Sequence, residues 1–146
     1  MTDFKPTNPK TGFGVRKGPQ TVIPRNVLAE IGLGMLDGGL KYGTHNYRKS
    51  GATASVYIDA AYRHLDDWWE GEDDDPDCAC QLSHITKAIT SLIVLRDAMM
   101  NGNMHDDRPP KAKPYRADVN LRAGTILDAY PNPKPRLTEK KHDTDT

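Results

Sequence analysis

Long apolar runs are missing from this chain of 146 residues. No stretch approaches the roughly 18–20 apolar residues that span a bilayer. Residues 1–17 are polar, with neither an apolar segment nor a small-residue cleavage site. The expectation is no membrane and a protein that stays where it is made, in the cytoplasm. Cysteine is scarce: Cys78 and Cys80 are the only two. They lie too close in sequence for an unstrained bridge, which excludes a disulfide framework and fits a reducing compartment. An excess of charge of one sign is also absent, since 20 Lys and Arg balance 20 Asp and Glu. A neutral chain has no field to gather nucleic acid or anionic membrane, so non-specific nucleic-acid binding is not expected. Strand signals are few, no repeat recurs at a fixed period, and there is no Walker-type loop, G-x-S-x-G or Rossmann glycine pattern.

What is present is 36% hydrophobic and 27% charged, lean for a single core of this length. The apolar residues crowd into the middle. Residues 1–22 are rich in Pro, Gly, Lys and Thr and read as an extended arm whose Phe4 and Phe13 dock locally. Residues 23–103 carry three helical signals. The first starts at Pro24, places Val27, Leu28, Ile31, Met35 and Leu36 on one face, is interrupted by Gly32, Gly34 and Gly38-Gly39, and stops at Gly43. The second, capped by Thr53 or Ser55, runs to Glu70 with Ile58, Ala61, Tyr62, Leu65, Trp68 and Trp69 as its apolar stripe. Asp59, Arg63, Asp66, Asp67 and Glu70 fall on its other face. The third runs from about Gln81 to Met100 and is so apolar that more than one side must be buried. Residues 104–146 form a Pro-rich, charged, partly disordered arm, in which Asp118 to Ala129 is a short helix or strand touching the core or a neighbouring subunit. The fold class is therefore all-α: a small bundle of two to four helices per chain with extended N- and C-terminal arms, completed by homo-oligomerisation.

Chemistry concentrates between the second and third signals. His64 lies on a helix that meets a stop at Gly71, then come Glu72, Asp73, Asp74 and Asp75, and His84 returns in the first turn of the next helix. Such a hairpin lets one imidazole from each helix converge with loop carboxylates. Carboxylate oxygens with imidazoles suit a divalent metal, Mg²⁺ or Mn²⁺, with Co²⁺ or Zn²⁺ as further candidates. Crowded carboxylates repel one another unless a cation relieves them; the plainer alternative is a solvated acidic loop flanked by a capping histidine. A second cluster, Lys41 to Lys49, joins cations to aromatic rings. Lys41, Arg48 and Lys49 are candidates for phosphate contacts, Tyr47 for ring stacking and Asn46 for a base edge, against the alternative of a surface turn. Cys78, Cys80 and His84 lack the usual zinc spacings. The His105-Asp106 doublet sits in a proline-rich exit rather than on a helix.

Lys41-Tyr42-Gly43, Asn46-Tyr47-Arg48-Lys49, Ala60-Ala61-Tyr62-Arg63-His64, Gly71-Glu72-Asp73-x-Asp75 and Ser83-His84 occur in an order and spacing that resemble the N-terminal domain of phage dATP/dGTP diphosphohydrolases. The resemblance covers about residues 24–100. It implies a metal-dependent enzyme, akin to the all-α MazG-like pyrophosphatases, that hydrolyses purine deoxynucleoside triphosphates to the monophosphate and pyrophosphate in phage nucleotide metabolism. On that resemblance His64, Glu72, Asp75 and His84 are metal ligands, with His64, Glu72 and His84 also catalytic. Lys41, Asn46, Tyr47, Arg48, Lys49, Arg63 and Lys87 bind the purine nucleotide. Two features depart from the pattern: Lys87 stands where a further His is expected, and the MazG-type E-x-x-E and E-x-x-D pair is absent. Two other readings remain: a non-catalytic phage protein that binds a nucleotide or nucleotide-derived signal, favoured by Lys87, and a helical oligomeric interaction protein.

Overall fold

A computed structural model describes residues 8–139; Phe4 and the last residues of the charged terminus lie outside them. The chain forms two compact units, one ending at Arg108 and the other beginning at Pro109. The first contains α1 (Pro9–Gly14), α2 (Arg25–Tyr42), α3 (Asn46–Ser50), β1 (Ala52–Thr53), α4 (Ala54–Trp69), α5 (His84–Met100) and β2 (Met104–His105). Three long helices thus make the bundle, and the described residues are mostly helical as the periodicity requires. None of these helices is long and apolar enough to cross a membrane.

α5 is the central element. It packs against both α4 and α2, and it buries His84, Thr86, Ala88, Thr90, Leu95 and Ala98. The expectation of burial on more than one side is met, but by small and polar residues as much as by large ones. The helix begins at His84 rather than Gln81, because Ser83 is its N-cap, the hydroxyl accepting from the Ile85 N–H at 3.2 Å.

α2 is continuous through the glycines that the sequence reads as an interruption. Each glycine costs up to about 1 kcal/mol against alanine in a helix, so something must offset them. At Gly34 the reason is close approach: a Cβ there would lie 2.6 Å from Thr90 Cγ2. The absent side chain lets α2 settle onto α5, and a polar seam forms alongside. Thr86 Oγ1 donates to Glu30 at 2.8 Å, and Lys87 Nζ donates to Asp37 at 2.9 Å. α2 ends at Gly43, whose φ of 96° suits glycine.

On α4 the expected stripe is only partly covered. Ala54 and Ala61 are buried, whereas Tyr62, Leu65, Trp68 and Trp69 are exposed. The face turned to α5 is the one carrying small residues, and the large rings lie beside it on the outside. Phe13, expected to dock, is exposed as well. Thr53 stands at the N-cap without a side-chain cap bond. The cap comes instead from far along the chain: the Asp107 carboxylate accepts from the Ser55 N–H at 2.9 Å and from the Ser55 hydroxyl, placing negative charge at a helix N-terminus. Parallel pairing of Ala52 with Met104 and Thr53 with His105 brings Asp107 there. Asn103 supports the same return, its amide donating to the Tyr47 and Arg48 carbonyls at the end of α3 at 2.9 and 2.8 Å. Gly51, with φ 78°, leaves room for this strap, since a Cβ would stand 2.5 Å from the Asn103 carbonyl oxygen.

In the second unit, Arg116–Asp128 forms α6, and none of its residues is buried. Val119, Leu121, Ile126 and Leu127, expected to touch the core or a neighbouring subunit, are exposed in the single chain.

Gly34→Ala is expected to destabilise the chain by about 1–3 kcal/mol in urea unfolding, the usual range for overpacking. Adding Thr90→Ser, which removes the clashing methyl and keeps the hydroxyl, should recover a large part of the loss; no recovery would show that the α2–α5 approach is not the cause.

Candidate metal centre and nucleotide cavity

His64 enters from the third turn of α4 and His84 from the first residue of α5. The hairpin brings their Nδ1 atoms to 2.9 Å, with ring centroids 5.2 Å apart. A contact between two ring nitrogens needs one donor and one acceptor; with both rings neutral, the ring that donates its Nδ1–H keeps the Nε2 lone pair for a ligand. Burial pushes the His64 imidazole below its ordinary value of 6.5, and the Asp75 carboxylate partly offsets that shift. Its neutral, ligating form is thereby favoured. His84 is 2% exposed and its Nε2 has no hydrogen-bond partner, the nearest carboxylate oxygen being Glu72 Oε1 at 3.7 Å. A buried nitrogen left unsatisfied costs about 1–3 kcal/mol, which a ligand at that nitrogen would relieve.

The donor group that assembles most closely is His64, Asp67 and His84, whose ligand atoms lie within 4.8 Å of one another. Asp67 follows His64 by three residues on α4 and so shares its face. The three-residue spacing from His64 is the signal in the sequence that points to Asp67 as a ligand. Glu72, Asp75 and Asp77 join these three and Arg63 around a cavity of about 350 Å³. Asp75 is buried and differently engaged: its Oδ1 accepts from the Asp77 N–H at 3.0 Å, and its Oδ2 lies 3.9 Å from Lys87 Nζ. Backbone bonds fix the acidic loop, with Asp75 N donating to the Leu82 carbonyl at 2.8 Å and His84 N to the Asp73 carbonyl at 3.0 Å. Cys78 and Cys80 are free thiols outside the close donor group.

A larger cavity, about 670 Å³, opens beside the first. This is the size range of small-molecule sites. Lys41, Asn46, Tyr47, Arg63 and Lys87 all line it, together with Asp37, Thr44, His45 and Tyr57, which the sequence reading did not single out. Arg48 and Lys49 do not line it. The Arg48 guanidinium makes a two-pronged ion pair with Asp97 at 2.8 and 3.1 Å, tying α3 to the end of α5. Tyr47 is buried, with its hydroxyl 3.4 Å from His45 Nδ1 and the rings edge to face. His45 holds φ 61°, a strained conformation for a residue with a Cβ, at the wall of the cavity. Beneath the cavity, Asp37 accepts from both Lys41 and Lys87 at 2.9 Å. The Lys87 ammonium and then that of Lys41 hold the Asp37 carboxyl below its ordinary value of 3.8. Burial raises the Tyr57 phenol above 10.0, so it meets the cavity as a neutral hydroxyl. Arg63 and His64 line both cavities and form the partition between them.

A helical bundle with a His/Asp/His group capable of holding a divalent ion, set beside a nucleotide-sized cavity, defines the class of protein. The dATP/dGTP diphosphohydrolase, N-terminal family matches residues 7–108, and the chain belongs to that family. The match extends beyond the region of recognisable motifs at both ends and takes in the returning strap with β2 and Asp107. No curated protein and no solved structure matches the chain.

Because the Asp37 carboxyl is held below its unfolded value, its stabilising effect is present above about 3.8 and lost as pH falls through the lower folded value. Asp37→Asn should therefore melt below wild type at neutral pH, with the gap closing as pH falls below that range. A gap independent of pH would show that the carboxylate's charge is not what matters.

Proposed function

We propose that the chain hydrolyses dATP and dGTP at the bond between the α- and β-phosphates, yielding the monophosphate and pyrophosphate. The observation that carries this reading is the shared partition. With Arg63 and His64 facing both cavities, a molecule whose base and sugar occupy the larger one can lay its phosphates across Arg63 toward the acidic one.

The residues present fit a divalent ion. Two imidazoles and a carboxylate converge, one buried imidazole nitrogen lacks a partner, and further carboxylates surround them. His64, Asp67 and His84 would hold the ion, with Glu72 and Asp75 around it. Two nitrogen donors favour Mn²⁺, Co²⁺ or Zn²⁺ over Mg²⁺, which prefers oxygen. When bound, such an ion neutralises phosphate oxygens and lowers the pKa of a water. Glu72, half-exposed at the cavity wall, takes the proton of the attacking water. Water oxygen bonds to Pα as the Pα–O bond of the α–β bridge breaks, and pyrophosphate leaves with the bridging oxygen. Arg63 and Lys87 bind the charge that gathers on this leaving group. In the larger cavity Asn46 and the neighbouring polar side chains meet the base. The same reading places the protein in the cytoplasm as a homo-oligomer, a second copy covering Tyr62, Leu65, Trp68 and Trp69.

One observation favours a second reading, a protein that binds a nucleotide without turning it over. Lys87 already sets a fixed ammonium 2.9 Å from Asp37 and 3.9 Å from Asp75, so part of the acidic charge is neutralised by the chain itself.

Incubation with dGTP or dATP and Mn²⁺, Co²⁺ or Mg²⁺ is expected to release pyrophosphate. Asp67→Asn, at an exposed position, should lower metal affinity at least about tenfold while keeping the fold, since even losing a ligand's hydrogen-bond partner costs roughly 10–100-fold. Absence of pyrophosphate with every metal would count against hydrolysis, and tight nucleotide binding unaffected by chelator would move the protein to the second reading. Sedimentation of Trp69→Glu tests the assembly: a smaller species than wild type is expected, and an unchanged one would remove this face from the interface.

A further inference from the structure

The loop between α4 and α5 carries two thiols that the proposed hydrolysis does not use. Cys78 is 3% exposed and Cys80 is exposed, and their Sγ atoms stand 3.7 Å apart. The loop is cinched so that they stay together: Cys78 N donates to the Asp75 carbonyl at 3.2 Å, and Gln81 N donates to the Cys78 carbonyl at 2.9 Å. Gln81 holds φ 51° to complete the turn, a conformation that side chains rarely adopt. One sulfur is thus accessible and the other is held behind it within contact distance, an arrangement of attacking and resolving thiols.

We propose that Cys78 and Cys80 form a reversible dithiol modification site that reacts with low-molecular-weight disulfides of the glutathione class and closes to an intramolecular disulfide. Cys80, as its thiolate, attacks one sulfur of glutathione disulfide. The S–S bond breaks, one glutathione thiolate leaves, and it takes up the proton that Cys80 gave to solvent. Cys78 then attacks Cys80 Sγ from the buried side, forming the Cys78–Cys80 bond and expelling the second glutathione. Two protein thiols are oxidised and one glutathione disulfide is reduced to two thiols. A bridge across a single intervening residue is strained, which rules it out as a permanent staple and makes it readily reducible. The sulfurs must close to about 2.05 Å, and because Cys78 N donates to the carbonyl of Asp75, the change is felt at the acidic cavity.

The test uses the full chain and oxidised glutathione, followed by maleimide counting of thiols and intact mass. Wild type should lose both reactive thiols, lose the mass of two hydrogens, retain no glutathione, and recover with dithiothreitol. Cys78→Ser should stop with one glutathione attached, and Cys80→Ser should remain unmodified. Retention of glutathione by wild type, a disulfide-linked dimer on a non-reducing gel, or two thiols that stay free would overturn the proposal. Should Cys78→Ser fail to fold, wild type and Cys80→Ser decide it, because equal modification of Cys80→Ser removes the accessible thiol from its assigned role. None of these readouts depends on nucleotide hydrolysis.

Discussion

Small residues along α5 and the helices facing it set how near the backbones come, and nearly every contact in the site depends on that distance. Gly34 against Thr90, and Ala54, Ala61, Ala88 and Ala98 in the interior, give a bundle in which, among the described residues, no large side chain is fully buried. Such a core contributes less from apolar area than one of leucines and phenylalanines. In return, polar side chains beside the seam meet directly. His64 reaches His84, Thr86 reaches Glu30, and Lys87 reaches Asp37 across helices that larger residues would hold apart.

Neutrality of the whole chain conceals a local segregation of charge. Asp67, Glu72, Asp75 and Asp77 surround the smaller cavity, and cations stand only at its margins, with Arg63 in the partition and Lys87 behind Asp75. Lys41 and Lys87 are in turn held by the one carboxylate of Asp37. A triphosphate with a divalent ion is itself a mixed-charge object, and it matches a surface in which carboxylates and cations alternate over a few ångströms better than one of a single sign. That is why a net charge of zero argues against coating nucleic acid and says nothing against binding a nucleotide.

The helical class, the limits of α4, the stop at Gly43 and the meeting of His64 with His84 were all legible, since each follows from spacing, caps and a short acidic connection. What escaped the sequence depends on contacts between distant segments. Asp107 caps α4 because a two-residue parallel pairing delivers it there, and no pattern near Ser55 announces that. Arg48 reads as a phosphate ligand until Asp97, on another helix, is seen to hold it. The stripe from Tyr62 to Trp69 shows how periodicity identifies an apolar face without saying what covers it. Alanines, which periodicity weights lightly, form the face that α5 meets. Gly34 was read as a weakness of α2 because its partner, Thr90, lies on a different helix. Asp67 was the one omission with a local signal, three residues from His64 on the same face.

The first turn of α5 binds these threads into a single constraint. Ser83 caps it, His84 faces α4 and the acidic loop, Thr86 faces Glu30, and Lys87 faces both Asp37 and Asp75. A shift of one residue in this helix rotates its side chains by about 100°, which would carry all of them out of register together. The polar seam that fastens α2 to α5 is therefore also the floor of the larger cavity, and the hairpin that joins α4 to α5 is also the wall of the smaller one. Fold and site are not separable here: residues that anchor the helices are the same ones that aim the charges, so a substitution that loosens one disturbs the other.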